Sequence, residues 1–375
     1  MSSAYYKNHW SYNKFKSYFN SMMKGKKYFL CDLSYQLTIL EGLRLKEEVL
    51  DEMSEEDFDE YKWMMEMEGT WLGAVEDAYF NFEELQLNRT LPAPIYPKPF
   101  YDLVKDGSFK YPRKLSEKGE LRILSCDIAT MGGKDNDASV FSVFQINPNK
   151  KNKYDRKIIY METMSGGHST LQAIQIRRLF EDLDCDYIVL DTNGVGMSIY
   201  DQLCQNLYDK ERQKKYDAIS CINDEKMADR CLVSNAPKKI FSVKANQQFN
   251  SDCAISLKDN FRRKKIEMLI PENDAKQVIE NIKGYSKLPI ETQVKFLAPY
   301  LQITAFINET INLQAEINKD TGLVKLKEPR SKRKDRYSSV SYGNYFINLL
   351  ERDLQDDNSD FDWSSLRSCV TKVSF

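Results

Sequence analysis

At 375 residues the chain can bury a large core, and its length suggests two or three domains. Mean hydropathy is negative, no apolar run nears the roughly 18 residues of a membrane span, and Met-Ser-Ser-Ala-Tyr-Tyr-Lys lacks the apolar stretch of a secretory signal. The expectation is a soluble, cytosolic chain with no membrane partner, and the net charge of −2 conceals segregation. Residues 47–60 hold nine acids and no base, whereas residues 325–336 hold seven bases and two acids. Local charge, not the total, therefore bears on nucleic-acid binding. The eight cysteines stand singly without CxxC spacing, which argues against a disulfide framework or a zinc clip.

Residues 1–90 read as a mostly helical, acidic segment. Ser54-Glu-Glu-Asp57 has the form of a capping box ahead of Phe58, Tyr61 and Met65 at helical spacing. Tyr28-Phe-Leu-Cys-Asp-Leu33 predicts one short strand. Pro92, Pro94, Pro97 and Pro99 then crowd together. Proline at that density favours extended, stiff chain, so residues 91–119 are expected to form a linker.

From residue 120 to 352 the pattern becomes α/β. Strands are expected at 121–128, 138–146 and 157–164, followed by a helix at 170–183. Tyr187-Ile-Val-Leu190 is apolar throughout, as in a central strand covered on both faces. A helix opens at Gly194-Val-Gly-Met. Further on, a strand near 239–244, helices at 246–263, 273–283 and 290–313, a hairpin about Asp320-Thr-Gly322 and a last helix at 336–351 are expected. Residues 353–375 read as an acidic flexible tail. The fold class expected is a mixed β-sheet flanked by helices.

Three aspartates carry the chemistry. Asp127 ends the strand Leu121-Arg-Ile-Leu-Ser-Cys-Asp127 and opens a Gly-rich loop; Asp191 ends the strand at 187–191; Asp335 opens the last helix. Taken singly, each is explained as a turn or helix cap. Taken together, acids at strand ends and a helix start would repel unless divalent cations lay among them. Strand carboxyl ends are also where open α/β sheets bind ligands. This pattern points to phosphodiester hydrolysis with two Mg²⁺ or Mn²⁺ ions. Asp135, and behind it Asp137, is a candidate fourth ligand, although a Gly-Gly-Lys-Asp-Asn-Asp run also fits a plain turn.

The basic run Lys325, Lys327, Arg330, Lys332, Arg333, Lys334 and Arg336 abuts Asp335. Such runs are usually solvated surface, but this position favours contact with the phosphates of double-stranded DNA. Arg262-Arg-Lys-Lys265 is adequately explained by cations at a helix C-terminus. Gly194-Val-Gly196 is not followed by the third glycine of a dinucleotide fingerprint, and no GxxxxGK[ST] loop occurs, so no complete ATPase site is present. His168 reads as a helix-capping position.

The order of strand-Asp, Gly-rich loop, two strands, helix, strand-Asp, helix and a late helix-Asp resembles the ribonuclease H-like nucleases. More narrowly it resembles the nuclease domain of tailed-phage terminase large subunits. The residues that carry the likeness are Asp127-Ile-Ala with Gly133 and Asp135-Asn-Asp-Ala-Ser; Val189-Leu-Asp-Thr-Asn-Gly-Val-Gly196 with Asp201-Gln-Leu203; and Lys334-Asp-Arg-Tyr-Ser-Ser-Val with Tyr342-Gly-Asn-Tyr. Residues 58–71 and 78–82 more loosely resemble the end of a terminase ATPase domain. The resemblance implies an endonuclease that cuts concatemeric viral DNA during packaging, in the host cytoplasm and transiently at the procapsid portal. It also implies a portal protein and a small terminase subunit as partners, within a ring oligomer. The competing expectations are a resolvase- or transposase-type nuclease and a non-catalytic docking module.

Overall fold

The computed structural model describes residues 4, 10–31, 34–54, 63, 65–67, 69, 71, 78–104, 107, 109–129, 138–318, 321–328 and 333–355. The chain divides into two compact units, Met1–Glu83 and Glu84–Phe375. In the first, α1 (Trp10–Met23), α2 (Tyr35–Leu40) and α3 (Lys46–Met53) are helical. Tyr12 and Phe15 lie one turn apart on α1, and both pack against Trp71, with ring centroids 5.2 and 5.5 Å away. Tyr35 meets Trp63 edge-on at 5.3 Å.

Two expectations for this unit change. Residues 28–31 form no strand; Tyr28 and Phe29 are 47% and 83% exposed, so the pair lacks the buried face that makes a strand. Ser54 closes α3, its hydroxyl donating to the Asp51 carbonyl at 2.8 Å. The rest of the supposed capping box lies outside the described residues.

The second unit opens with α4 (Phe82–Leu87), β1 (Arg89–Leu91) and α5 (Pro99–Leu103). Next come β2 (Leu121–Asp127), β3 (Ala138–Pro148), β4 (Tyr154–Ser165), α6 (Ser169–Asp182), β5 (Tyr187–Asp191) and α7 (Val195–Leu203). A side hairpin of β6 (Leu207–Asp209) and β7 (Lys214–Tyr216) precedes β8 (Ser220–Cys221), α8 (Glu225–Ala228) and β9 (Lys238–Val243). The remainder is α9 (Gln247–Arg262), β10 (Ile266–Leu269), α10 (Glu272–Glu280), α11 (Ile290–Thr310), the hairpin β11 (Gln314–Ile317) and β12 (Val324–Lys327), and α12 (Asp335–Gln355).

Eight strands form one mixed sheet in the order β1-β10-β4-β3-β2-β5-β9-β8. Only β3 runs against its neighbours, pairing antiparallel with β2 and β4; the other pairings are parallel. The central five, β4-β3-β2-β5-β9, have the strand order and directions of the ribonuclease H-like fold. Helices cover both faces. Ser142 of β3 meets Ser339 of α12 at 2.7 Å, while Ser139, three residues earlier and so on the opposite face, donates to Gln172 of α6 at 3.1 Å. Ile188, Val189 and Leu190 are fully buried between these layers. Among the described residues no helix is long and apolar enough to cross a membrane.

Residues 84–119 count with this second unit, although the prolines suggested a linker. The extended chain they impose is used as an edge: Ile95 N–H donates to the Ile159 carbonyl of β4 at 3.1 Å. Tyr96 is buried against Phe100 and Phe296, and its hydroxyl donates to the Phe296 carbonyl at 2.8 Å. Proline removes donors without preventing burial when its neighbours make the bonds.

The C-terminal half of α12 is fixed by a buried polar network. Arg156 of β4 donates to Asn344 at 2.5 Å, to Asn348 at 2.7 Å and to Glu351 at 3.0 Å, three positions on one helical face. Asn260 of α9 also donates to Asn344, at 2.9 Å. This network sets the rotation and axial position of α12, and hence the place of its first residue, Asp335.

Candidate active site

In the parallel pairing of β2 with β5 the last aligned residues are Cys126 and Leu190. Asp127 and Asp191 are the next residue on each strand. They leave the same edge of the sheet on the same side, from strands that ordinarily lie about 4.8 Å apart. The apolar runs before them fix this placement, because burying Ile188–Leu190 delivers Asp191 to the strand end.

The turn after β5 keeps its carboxylate in place. Asp191 accepts the Asn193 backbone N–H at 2.9 Å. Gly194 has φ +55°, and Gly196 lies against the Asp191 carbonyl, where any Cβ would collide. Gly196 therefore serves the close approach of α7 to β5, and Gly194 the positive-φ turn that precedes it.

Asp335 is brought in by α12. The Ser125 hydroxyl donates to the Ser339 carbonyl at 2.7 Å, and the Ser339 hydroxyl donates back to the Ser125 carbonyl at 2.9 Å. This pair pins the helix start two residues upstream of Asp127. Asp127, Asp335, Asn193, Gly194 and Val195 line one cavity of about 380 Å³.

Electrostatics tie the acids together. Burial pushes the Asp127 carboxyl up to about 8, with further upward contributions from Asp335, Asp191 and Glu309; a hydrogen bond with Ser338 opposes them. Burial also raises Asp191, against the Asn193 N–H. Glu309, at the end of α11, was missed by the sequence reading. Burial raises it too, while Arg336 lowers it and Asp335 raises it. Glu309 accepts the Arg336 backbone N–H at 2.9 Å and pairs with its guanidinium, so it holds the first turn of α12. A lone acid near the end of a long apolar helix was its only sequence signal.

Hard oxygen donors crowded into a buried, like-charged corner suit a divalent cation. No group of three or more His, Cys, Asp or Glu among the described residues is disposed to hold a metal ion as it stands. The β2–β3 loop with Asp135 and Asp137 lies outside the described residues, as do Arg330 and Lys332.

The remaining basic candidates separate. Lys325 and Lys327 project from β12, exposed, with Lys327 paired to Glu316 across the hairpin. Lys334 pairs with Glu328 at 2.8 Å. Arg333 is partly buried. Arg336 turns inward, held by Glu309 and by Gln302 at 2.8 Å. His168 is the residue before α6, capping it by its backbone only.

No family model matches the sequence, and no curated protein matches it. Several solved structures are similar. The magnesium-bound large terminase nuclease from thermophilic phage G20c is 14% identical, covering 72% of this chain and 98% of its own, with a TM-score of 0.38. The nuclease domain of the large terminase subunit gp2 of bacterial virus Sf6 is 9% identical over 68% of this chain and 98% of its own, with a TM-score of 0.33. A large terminase from another thermophilic bacteriophage is 11% identical over 93% of this chain and 60% of its own, with a TM-score of 0.36. In fold, the chain is similar to the nuclease domains of phage large terminases.

Proposed function

We propose that the protein is a metal-dependent DNA endonuclease of the terminase large-subunit type, cutting concatemeric viral DNA during packaging. The observation that supports it most is the convergence of charge on Asp127. Its carboxyl is raised first by burial, then by the acid at the start of the crossing helix and by the one on the next strand, whose pairing register brings it alongside.

Asp127, Asp191 and Asp335 would hold two Mg²⁺ or Mn²⁺ ions, with Asp135 as a further donor. When bound, such ions supply water activation and neutralise charge on the departing 3′ oxygen. The protein's own groups do the rest. Asp127 would present its carboxylate to the ions from the end of β2, Asn193 and Gly196 keep Asp191 at the strand end, and Glu309 with Arg336 holds the first turn carrying Asp335. Lys325, Lys327, Arg333 and Lys334, with Arg330 and Lys332, would guide the duplex by its phosphates, which positions DNA without reading sequence. A portal protein and a small terminase subunit are the partners proposed for the complete motor, a ring in the host cytoplasm.

The test is cleavage of supercoiled plasmid in Mn²⁺ by the parent chain and by Asp191→Asn. The parent should cut and the variant should not. Equal cutting by both would end this reading.

A further inference from the structure

Next to the acidic corner lies a cavity of opposite character. It holds about 340 Å³ and is bounded by the first turn of α9, by β12 and by the start of α12. Asn246, Gln247 and Asn250 form one side, Lys325 and Lys334 another, and Tyr337 and Tyr342 a third. Among the described residues, two lysines and no carboxylate face it. Both tyrosines are more than nine-tenths buried, so each presents only a fixed edge to the cavity. Phe249 backs Tyr342, its ring centroid 5.5 Å away.

Each wall excludes some ligands. The lysines and the absence of acids select an anion. The amides add donors and acceptors that a bare phosphate does not need, and Val324, Leu326 and the tyrosine edges add apolar lining that it cannot use. A duplex is too wide to enter, whereas one nucleotide is within the size of such sites. Phosphate toward lysine, base edge toward amide and base against an apolar wall is an arrangement that suits an unpaired nucleotide. The Lys334–Glu328 pair is partly exposed, so exchanging Glu328 for a phosphate costs little.

The cavity also adjoins the acids. Ser338 lines it, and the same residue holds down the Asp127 carboxyl on the other side of the helix start. A nucleotide seated there is separated from the carboxylates by a single wall of α12.

We propose that the cavity formed by α9, β12 and α12 binds one unpaired nucleotide, base and phosphate together. The inference deepens the nuclease reading, and it rests on that reading for a strand of DNA as the source; a free mononucleotide has the same chemistry.

The experiment uses the full chain in a chelator, so that the acid site plays no part. A labelled oligothymidylate and a labelled duplex are titrated against the parent, Asn250→Trp and Gln247→Trp. Both positions are exposed, and both changes conserve charge and fill the cavity. Each variant should lose about ten-fold or more in affinity for the single strand, while duplex affinity stays within about two-fold. Displacement by thymidine monophosphate would assign the site to free nucleotide; displacement only by longer strands would assign it to DNA. Unchanged single-strand binding, equal losses for strand and duplex, or displacement by inorganic phosphate as readily as by thymidine monophosphate would overturn the proposal. Thermal melts establish that the variants fold, and Gln247→Trp carries the test should Asn250→Trp fail to. Asp127→Asn in the plasmid assay separates the two readings: unimpaired cutting by that variant sinks the nuclease assignment and leaves strand binding to be judged alone.

Discussion

A Cβ added to Gly196 would sit 1.7 Å from the Asp191 carbonyl oxygen. Helix α7 thus begins in direct backbone contact with the end of β5, and no rotamer change can relieve a clash between backbone atoms. Gly196→Ala must displace either the helix or the strand end. Overpacking of this kind typically costs about 1–3 kcal/mol, and a backbone clash belongs at the upper end. The expected outcome is a clear loss of melting temperature together with loss of plasmid cutting, because Asp191 moves with the strand end. Gly194→Ala adds no steric contact within 4 Å but is strained by its positive φ, and should cost less than Gly196→Ala. Thermal melts of the two variants check the ranking.

Asp127 makes stability depend on pH in the unusual direction for an acid. Its folded value of about 8 lies above the roughly 3.9 of an unfolded aspartate, so the folded state holds the extra proton between them. Its contribution is most favourable below about pH 4, falls as pH rises, and levels off beyond about pH 8. Asp127→Asn removes that decline. In chelator, the variant should be more stable than the parent at pH 8 by on the order of a few kcal/mol, and the gap should close toward pH 4. Denaturant melts across this range decide it; a variant less stable at pH 8 contradicts the assigned environment.

Arg156 is a buried guanidinium whose partners are all on the far side of the sheet layer, in α12. Removing it leaves Glu351 with Lys265 and the Tyr154 N–H, and Asn344 and Asn348 with Asn260, so what is lost is a set of buried charge-assisted hydrogen bonds worth about 1.5–3 kcal/mol. Arg156→Met should therefore be strongly destabilising. Arg156→Met combined with Glu351→Leu should recover part of the loss, since the buried carboxylate leaves with the guanidinium and the Lys265 that Glu351 also paired is partly exposed. A double-mutant cycle by urea unfolding measures the coupling. Additive losses would mean that α12 is held mainly by apolar packing.

Much of this arrangement could be read from the sequence, for physical reasons that differ by element. Asp127 and Asp191 were visible because a run of buried residues ending in a charge has few places to go but the end of a strand. Asp335 was visible because the apolar stripe of α12 starts directly behind it. Strands β1 and β10 were not, since four residues such as Ile266-Glu-Met-Leu269 carry too short a period to separate strand from helix. The prolines at 92–99 misled because their effect on backbone shape was read correctly but burial of Ile95 and Tyr96 was not. Arg336 looked like a free cation, and its attachment to Glu309, 27 residues away, has no signature in spacing.

Glu309 offers a way to separate holding from binding. It supports α12 through the Arg336 backbone N–H and guanidinium, and it adds negative charge beside Asp127. Glu309→Gln keeps an oxygen for the N–H but removes the charge; Glu309→Leu removes both. If Glu309 chiefly positions Asp335, Gln should retain most plasmid-cutting activity, and Leu should lose it along with about 1–3 kcal/mol of stability from the unpaired Arg336. If instead its charge is needed to attract cations, Gln and Leu should require similarly raised Mn²⁺ concentrations, with maximal cutting recovered at saturation. Rates measured across a Mn²⁺ titration distinguish these outcomes. The first is expected, because both carboxylate oxygens of Glu309 already face Arg336 rather than the cavity that Asp127 and Asp335 line.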